Sequence, residues 1–119
     1  MSKKIYYLST CDTCRKILKE INADEEGFEL QDIKACPLSE VQIDELAARV
    51  GGYEALINKR AMMYKEQKLG EKNLSEADFR GLLLQHYTFL KRPVIDYNEK
   101  LYVGNDKETI ASVKKALNQ

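Results

Sequence analysis

At residue 9 the chain changes its hydrophobic period, and that change dictates how the rest can fold. Ile5, Tyr6, Tyr7 and Leu8 form a short apolar run of strand-prone types, so residues 4–9 read as a first strand. Beyond Cys11, apolar side chains recur at Cys14, Ile17, Leu18 and Ile21, the i, i+3, i+4, i+7 pattern of a helix, expected from about Asp12 to Ala23 with its exit at Gly27. Phe28 to Ile33 then alternates apolar and polar with period two, as a half-buried strand does. Strand, helix and strand with such short links make a βαβ unit, whose two strands lie parallel.

Helical signals dominate the middle of the chain. Ser39 and Gln42 form a capping box, opening a helix with Ile43, Leu46, Ala47 and Val50 on one face and a stop at Gly51-Gly52. A short helical piece is expected over Tyr53 to Ile57, followed by the charged turn Asn58-Lys59-Arg60 and a helical turn around Ala61 to Gln67. Ser75 with Asp78 caps another helix, whose inner face reads as Phe79, Leu82, Leu83 and His86. Pro93 opens a third strand, Val94 to Tyr97, where its missing N–H costs nothing. Asn98-Glu99-Lys100 turns the chain into a partner strand, Leu101 to Val103, and Gly104-Asn105-Asp106 leads into a last helix with Ile110, Val113 and Leu117 inward.

The order is therefore β-α-β, a helical block, then β-β-α. This is an α/β fold: a thioredoxin-like four-stranded mixed sheet with flanking helices and an inserted helical block. It is expected as one domain over 1–119, the thioredoxin-like part at about 1–36 and 88–119 and the insertion at about 37–87.

The junction at residue 9 also carries the chemistry. Cys11 falls at or just before the first turn of the helix and Cys14 one turn further in. Unpaired N–H groups and the helix dipole favour a thiolate there over a thiol. A free thiol titrates at about 8.5, and a helix N-terminus or a cation brings it toward about 7 or lower. One pKa unit is about 1.4 kcal/mol, which a helix end and one cation can supply. Asp12 opposes the thiolate, so a cation must come from elsewhere, and Arg15, Lys16 and Arg92 are the candidates. The pair reads as a thiol redox site in which Cys11 attacks and Cys14 closes a disulfide behind it.

Other readings of these residues stay open. Two cysteines at this spacing are half a zinc site, completed only if Cys36 and His86 joined them. Arg92 either faces the cysteine end of the sheet, where its guanidinium can hold an oxyanion against the helix N-terminus, or is a surface arginine before an edge strand. Lys59 and Arg60 read as a solvated turn, His86 as a packed, hydrogen-bonded side chain, and Cys36 as a loop thiol that could serve as an alternative resolving partner.

Composition narrows the partners. The 119 residues hold 19 basic and 19 acidic side chains, so the chain lacks the basic excess of a nucleic-acid or membrane-surface binder. No targeting segment and no apolar stretch of bilayer length is visible, which reads as cytoplasmic. Three cysteines, an odd number, suit a redox or metal role better than a stapled secreted fold.

Tyr7-x-x-x-x-Cys11-x-x-Cys14-Arg15-Lys16, Asn58-Lys59-Arg60, Leu84-Gln85-His86, Lys91-Arg92-Pro93-Val94-Ile95 and Val103-Gly104 together resemble the ArsC/Spx family, in order and over essentially the whole chain. The resemblance implies a thioredoxin-like fold with a helical insertion, Cys11 as nucleophile, Arg92 as anion-binding arginine and Pro93 as a cis proline facing the cysteine. It also implies a substrate-binding role for Arg60, the arginine of an Asn-x-Arg pattern. Glutaredoxin-coupled arsenate reductases of the family carry serine where Cys14 stands and further arginines where Asn58 and Val103 stand. Each missing charge-assisted hydrogen bond weakens arsenate binding by about 1.5–3 kcal/mol.

Two functions follow as expectations. One is an arsenate reductase-like thiol oxidoreductase acting on a small oxyanion or a thiol/disulfide substrate. It would need no bound cofactor and would be re-reduced by an external thiol system such as glutathione/glutaredoxin or thioredoxin. The other is a Spx-like redox-sensing transcriptional regulator that binds the C-terminal domain of the RNA polymerase alpha subunit, with no direct contact to nucleic acid. Spx-type regulators continue past the last helix with a charged tail that this sequence does not carry, which places the enzyme reading first.

Overall fold

Strand β1 (Lys3–Tyr7) is the hinge of the architecture, pairing on both sides. In the computed structural model of the chain, residues 3–118 are described. They divide into two compact units: one runs up to Cys36 and resumes at Arg92, and the other is Pro37–Lys91.

In the first unit, β1 lies parallel to β2 (Glu29–Asp32) and antiparallel to β3 (Val94–Tyr97), which pairs antiparallel with β4 (Lys100–Val103). The sheet order is β2-β1-β3-β4, the mixed four-stranded sheet expected from the βαβ unit and the hairpin. Between β3 and β4 only Asn98 and Glu99 turn the chain. Both have positive φ (52° and 69°), a type I′ arrangement that suits the twist of the strands it joins.

Helix α1 (Asp12–Glu20) ends three residues short of the expected Ala23. Asn22 adopts a left-handed conformation (φ 54°), and the chain then makes a separate single turn, α2 (Ala23–Glu26), before leaving through Gly27 at φ 80°. The apolar period runs on through this break because Ile21 and Ala23 are both buried, so periodicity alone does not reveal it. Strand β2 also differs from expectation. It is an edge strand with no buried residue; its central Leu30 is 37% exposed, and burial falls on Phe28 and Ile33 at its flanks.

Ile5, Ile95 and Tyr102 stand opposite one another on β1, β3 and β4 and form a row across one sheet face. Ile21, Ala23, Phe28 and Val113 close over that row, with Leu18 of α1 and Ala116 and Leu117 of α6 (Lys107–Leu117) packed around it. Fully burying an aliphatic side chain of this size contributes about 1.5–3 kcal/mol, so this row is the mechanical base of the unit. Asp106 starts α6 by accepting from the Thr109 N–H at 3.2 Å.

The second unit is helical. Both expected capping boxes form, Ser39 with Gln42 on α3 (Glu40–Val50) and Ser75 with Asp78 on α5 (Glu76–Gln85). The piece expected at Tyr53 to Ile57 is a 3₁₀ turn over Glu54–Leu56, and α4 (Met62–Glu66) is the helical turn expected around Ala61 to Gln67. Gly52 has a positive φ of 149°, and a Cβ there would sit 2.7 Å from the Glu76 carboxylate and displace it from the Tyr53 and Glu54 N–H groups it accepts. Arg80 of α5 bonds Asp44 of α3 at 2.7 Å and tethers the two helices. The unit extends to Lys91 rather than 87, because Leu90 bridges to Ile57 and the Lys91 N–H donates to the Leu56 carbonyl at 2.8 Å.

Candidate functional site

Tyr6 lies opposite Val94, so the C-terminal end of β1 and the start of β3, the two central strands, are neighbours at one end of the sheet. The loop Leu8–Cys11 leaves from the first of these ends, and Arg92-Pro93 enters the second. The antiparallel register therefore brings residues from the two ends of the sequence to one place.

Cys11 is the N-cap residue of α1, with extended backbone (φ −96°, ψ 115°). Its N–H donates to the Leu8 carbonyl at 3.0 Å, and its own carbonyl accepts the Arg15 N–H at 3.1 Å as the helix begins. The thiol makes no full capping hydrogen bond. A thiolate at the same sulfur is nonetheless favoured. Partial burial opposes ionisation, but the Cys14 backbone N–H, the Cys14 thiol and the Arg92 guanidinium together outweigh it, and the Cys11 titration falls below the ordinary thiol range. Cys11 as a residue is half-buried.

Cys14 is the opposite case. It is fully buried, and burial together with the neighbouring Cys11 charge pushes its thiol up to about 11, although the Leu8 N–H and Arg92 pull the other way. The two cysteines are thus split into an outer sulfur that ionises readily and an inner one that stays protonated and donates toward it. Both are free thiols.

Among the three candidate cations, the structure distinguishes clearly. Arg15 is held by Asp12 in an exposed ion pair one helical turn long, which offsets both charges. Lys16 lies on the exposed side of α1. Arg92 is the cation that acts on Cys11, by charge and by hydrogen bond. The Arg92–Pro93 peptide is cis, as the family resemblance implies, and Pro93 is buried.

Two residues of this neighbourhood, Ser9 and Asp32, are not marked by any motif in the sequence. The Asp32 carboxylate accepts Ser9 Oγ at 2.6 Å and the Ser9 N–H at 3.2 Å, and these bonds hold its titration below the usual carboxylate range. It also accepts the Lys34 N–H at 3.2 Å. The signal for this contact lies in the βαβ pattern itself. Parallel strands end side by side, so the residue closing β2 faces the loop that leaves β1.

Each of the remaining expected residues has local contacts of its own. Cys36 is an exposed thiol whose N–H donates to the Asp32 carbonyl at 2.8 Å. Arg60 belongs to the helical unit, exposed in the turn where its N–H donates to Asn58 Oδ1 at 3.1 Å. His86 is not on the inner face of α5 but is its C-terminal cap. There its Nδ1 accepts the Thr88 N–H at 3.0 Å and its ring lies 4.3 Å from that of Tyr87, the packed role expected of it. Among the described residues no group of three or more His, Cys, Asp or Glu side chains is placed to hold a metal ion, so the zinc reading finds no ligand set. Nor is any described helix long and apolar enough to cross a membrane.

The chain is similar to known proteins along most of its length. Global transcriptional regulator Spx of Streptococcus mutans is 22% identical over 107 residues, covering 89% of this chain and 78% of its own. The arsenate reductase of Vibrio cholerae superposes with a TM-score of 0.78 at 21% identity, covering 95% of this chain and 98% of the other, a likeness of fold. An arsenate reductase (ArsC) related protein of Brucella melitensis gives 0.73 at 25% identity over 94% and 93% of the two chains. The family model described as ArsC family matches residues 6–113, and this chain belongs to the ArsC family.

Proposed function

We propose that this chain is a thiol-redox protein in which Cys11 is the attacking sulfur and Cys14 the resolving one. The reading is carried by one observation, the split between an outer cysteine favoured as thiolate beside Arg92 and a buried, protonated partner one turn further along α1.

With a disulfide substrate, the Cys11 thiolate attacks one sulfur, the S–S bond breaks, and the other half leaves as a thiolate. With an oxyanion, the thiolate displaces one oxygen from the central atom, and the oxygen leaves as water after protonation. In either case Cys14 loses its proton to solvent and attacks Cys11 Sγ. The bond from Cys11 to the substrate breaks with its electron pair going to the departing group, which is reduced by two electrons as the Cys11–Cys14 disulfide forms. Adduct formation removes the Cys11 charge that helps keep Cys14 protonated, so the second step is released by the first. An external dithiol system of the glutaredoxin or thioredoxin kind then reduces the disulfide. Arg92 stabilises the attacking thiolate and offers a guanidinium to an anionic substrate.

The test is turnover of arsenate and of a glutathionylated peptide with glutaredoxin or thioredoxin as reductant. Turnover of either substrate, abolished by Cys11→Ser, is the expected result; full activity of that variant overturns the mechanism.

A second reading has its own support, because a curated relative covering 89% of the chain is a global transcriptional regulator. In that reading the cysteine pair is a switch and the output is contact with the C-terminal domain of the RNA polymerase alpha subunit. Capture of that domain by the oxidised or the reduced protein supports it, and no capture in either state eliminates it.

A further inference from the structure

We propose that Asp32 is a positioning residue for the Cys11 nucleophile, acting through Ser9 to hold the Leu8–Cys11 loop against the end of β2. The inference rests on the reading of Cys11 as the attacking sulfur.

Four observations carry it. The loop between β1 and α1 is short, and Cys11 is both the donor of its closing turn and the N-cap of the helix, so a displacement of Ser9 displaces the sulfur. Ser9 is held twice by one carboxylate, at 2.6 Å through its hydroxyl and at 3.2 Å through its N–H. The same carboxylate accepts the Lys34 N–H, and the Asp32 carbonyl accepts the Cys36 N–H at 2.8 Å, so the residue is itself anchored from both sides. Finally, the Ile33 N–H donates to the Tyr7 carbonyl at 2.8 Å, which continues the β1–β2 pairing to the root of the loop.

The direction of the effect separates positioning from electrostatics. A carboxylate acting only by its charge would disfavour a nearby thiolate, so neutralising it would make Cys11 more reactive. A carboxylate acting as an anchor has the opposite effect: loosening the loop moves Cys11 away from the Cys14 N–H and Arg92, and its reactivity falls. The titratable groups that act most on Cys11 are Cys14 and Arg92; Asp12 beside it is paired with Arg15, and Lys34 is the cation beside Asp32.

The experiment is the rate of Cys11 alkylation by iodoacetamide as a function of pH, read by peptide mass spectrometry so that Cys36 is scored separately. It is run on the full chain carrying Ser9→Ala, Ser9→Thr, Asp32→Asn or no change, with thermal stability measured in parallel. Expected is a fall of about three- to tenfold at neutral pH for Ser9→Ala and Asp32→Asn, with the pH profile displaced to higher pH. Ser9→Thr, which keeps the hydroxyl, restores the original profile. An unchanged or faster reaction in Ser9→Ala and Asp32→Asn overturns the proposal while leaving the proposed function intact. If Cys11 in the unaltered chain reacts no faster than Cys36 at neutral pH, the proposed function itself fails.

Discussion

Arg92 acts on the Cys11 sulfur from the start of β3, whereas Arg15, only one helical turn away from that cysteine, is bound by Asp12. Proximity in sequence and proximity in charge are thus decoupled. An ion pair between exposed side chains leaves little net field, while a half-buried guanidinium beside a half-buried cysteine is screened far less.

Arg92→Ala is therefore expected to shift the pH profile of Cys11 reactivity upward. The sign follows from the lowered titration: the thiolate fraction, and with it the rate, is gained as pH rises through a value below that of an ordinary thiol. Removing the guanidinium moves that rise toward the ordinary thiol range, with a loss of about tenfold in alkylation rate at neutral pH. Arg15→Ala should change the rate much less. Equal losses in the two variants would show that Arg92 is not the cation in charge.

Cys14→Ser should leave the first attack in place and block the second. Mixed with a small disulfide such as oxidised glutathione, the variant is expected to accumulate as a stable one-to-one adduct at Cys11, seen as a mass increase in the intact protein. The unaltered chain should pass on to an internal disulfide, faster as pH rises, because burial still disfavours ionisation of the inner thiol, which must lose its proton to react. An adduct that persists equally in both proteins would remove Cys14 from the mechanism.

In the helical unit, the pairing of Asp44 with Arg80 and Tyr53 makes a pH prediction of its own. Those bonds hold Asp44 down at about 2, below the ordinary carboxylate value of about 3.9. The unfolded chain therefore binds more protons across that interval, and stability contributed by the pair is present above about pH 4 and lost as pH falls through about 2. Asp44→Asn should flatten the dependence of urea midpoint on pH between those limits, because it removes the titrating charge from the acceptor that Tyr53 and Arg80 share.

Ile95→Ala probes the base of the sheet. Ile95 is fully buried at the centre of the row Ile5–Ile95–Tyr102, and the truncation is expected to cost about 2–5 kcal/mol in urea unfolding. Val41→Ala, at a side chain 74% exposed, should stay within about 0.5 kcal/mol. A small effect at Ile95 would mean that the row does not form the core of the unit.

Much of this protein is local and therefore legible in its residues. The change of period at Ser9, the capping boxes at Ser39 and Ser75 and the proline before Val94 each act over a few positions, and the elements form where those signals stand. The place of Cys11 at a helix N-terminus is of the same kind, because strand, loop and helix are contiguous there. Periodicity misled where burial continued across a break in backbone geometry, at Asn22, where an edge position undid an alternating pattern, in β2, and at His86, where the helix stops one residue before the apolar spacing does. What the tertiary structure alone decided is which groups meet across the sheet. The Arg92 guanidinium reaches Cys11 because β1 and β3 run antiparallel with Tyr6 opposite Val94, and Asp32 reaches Ser9 because β1 and β2 end together. Register is set by the packing of the whole unit, so the charge that tunes the sulfur could be assigned only once the strands were in place.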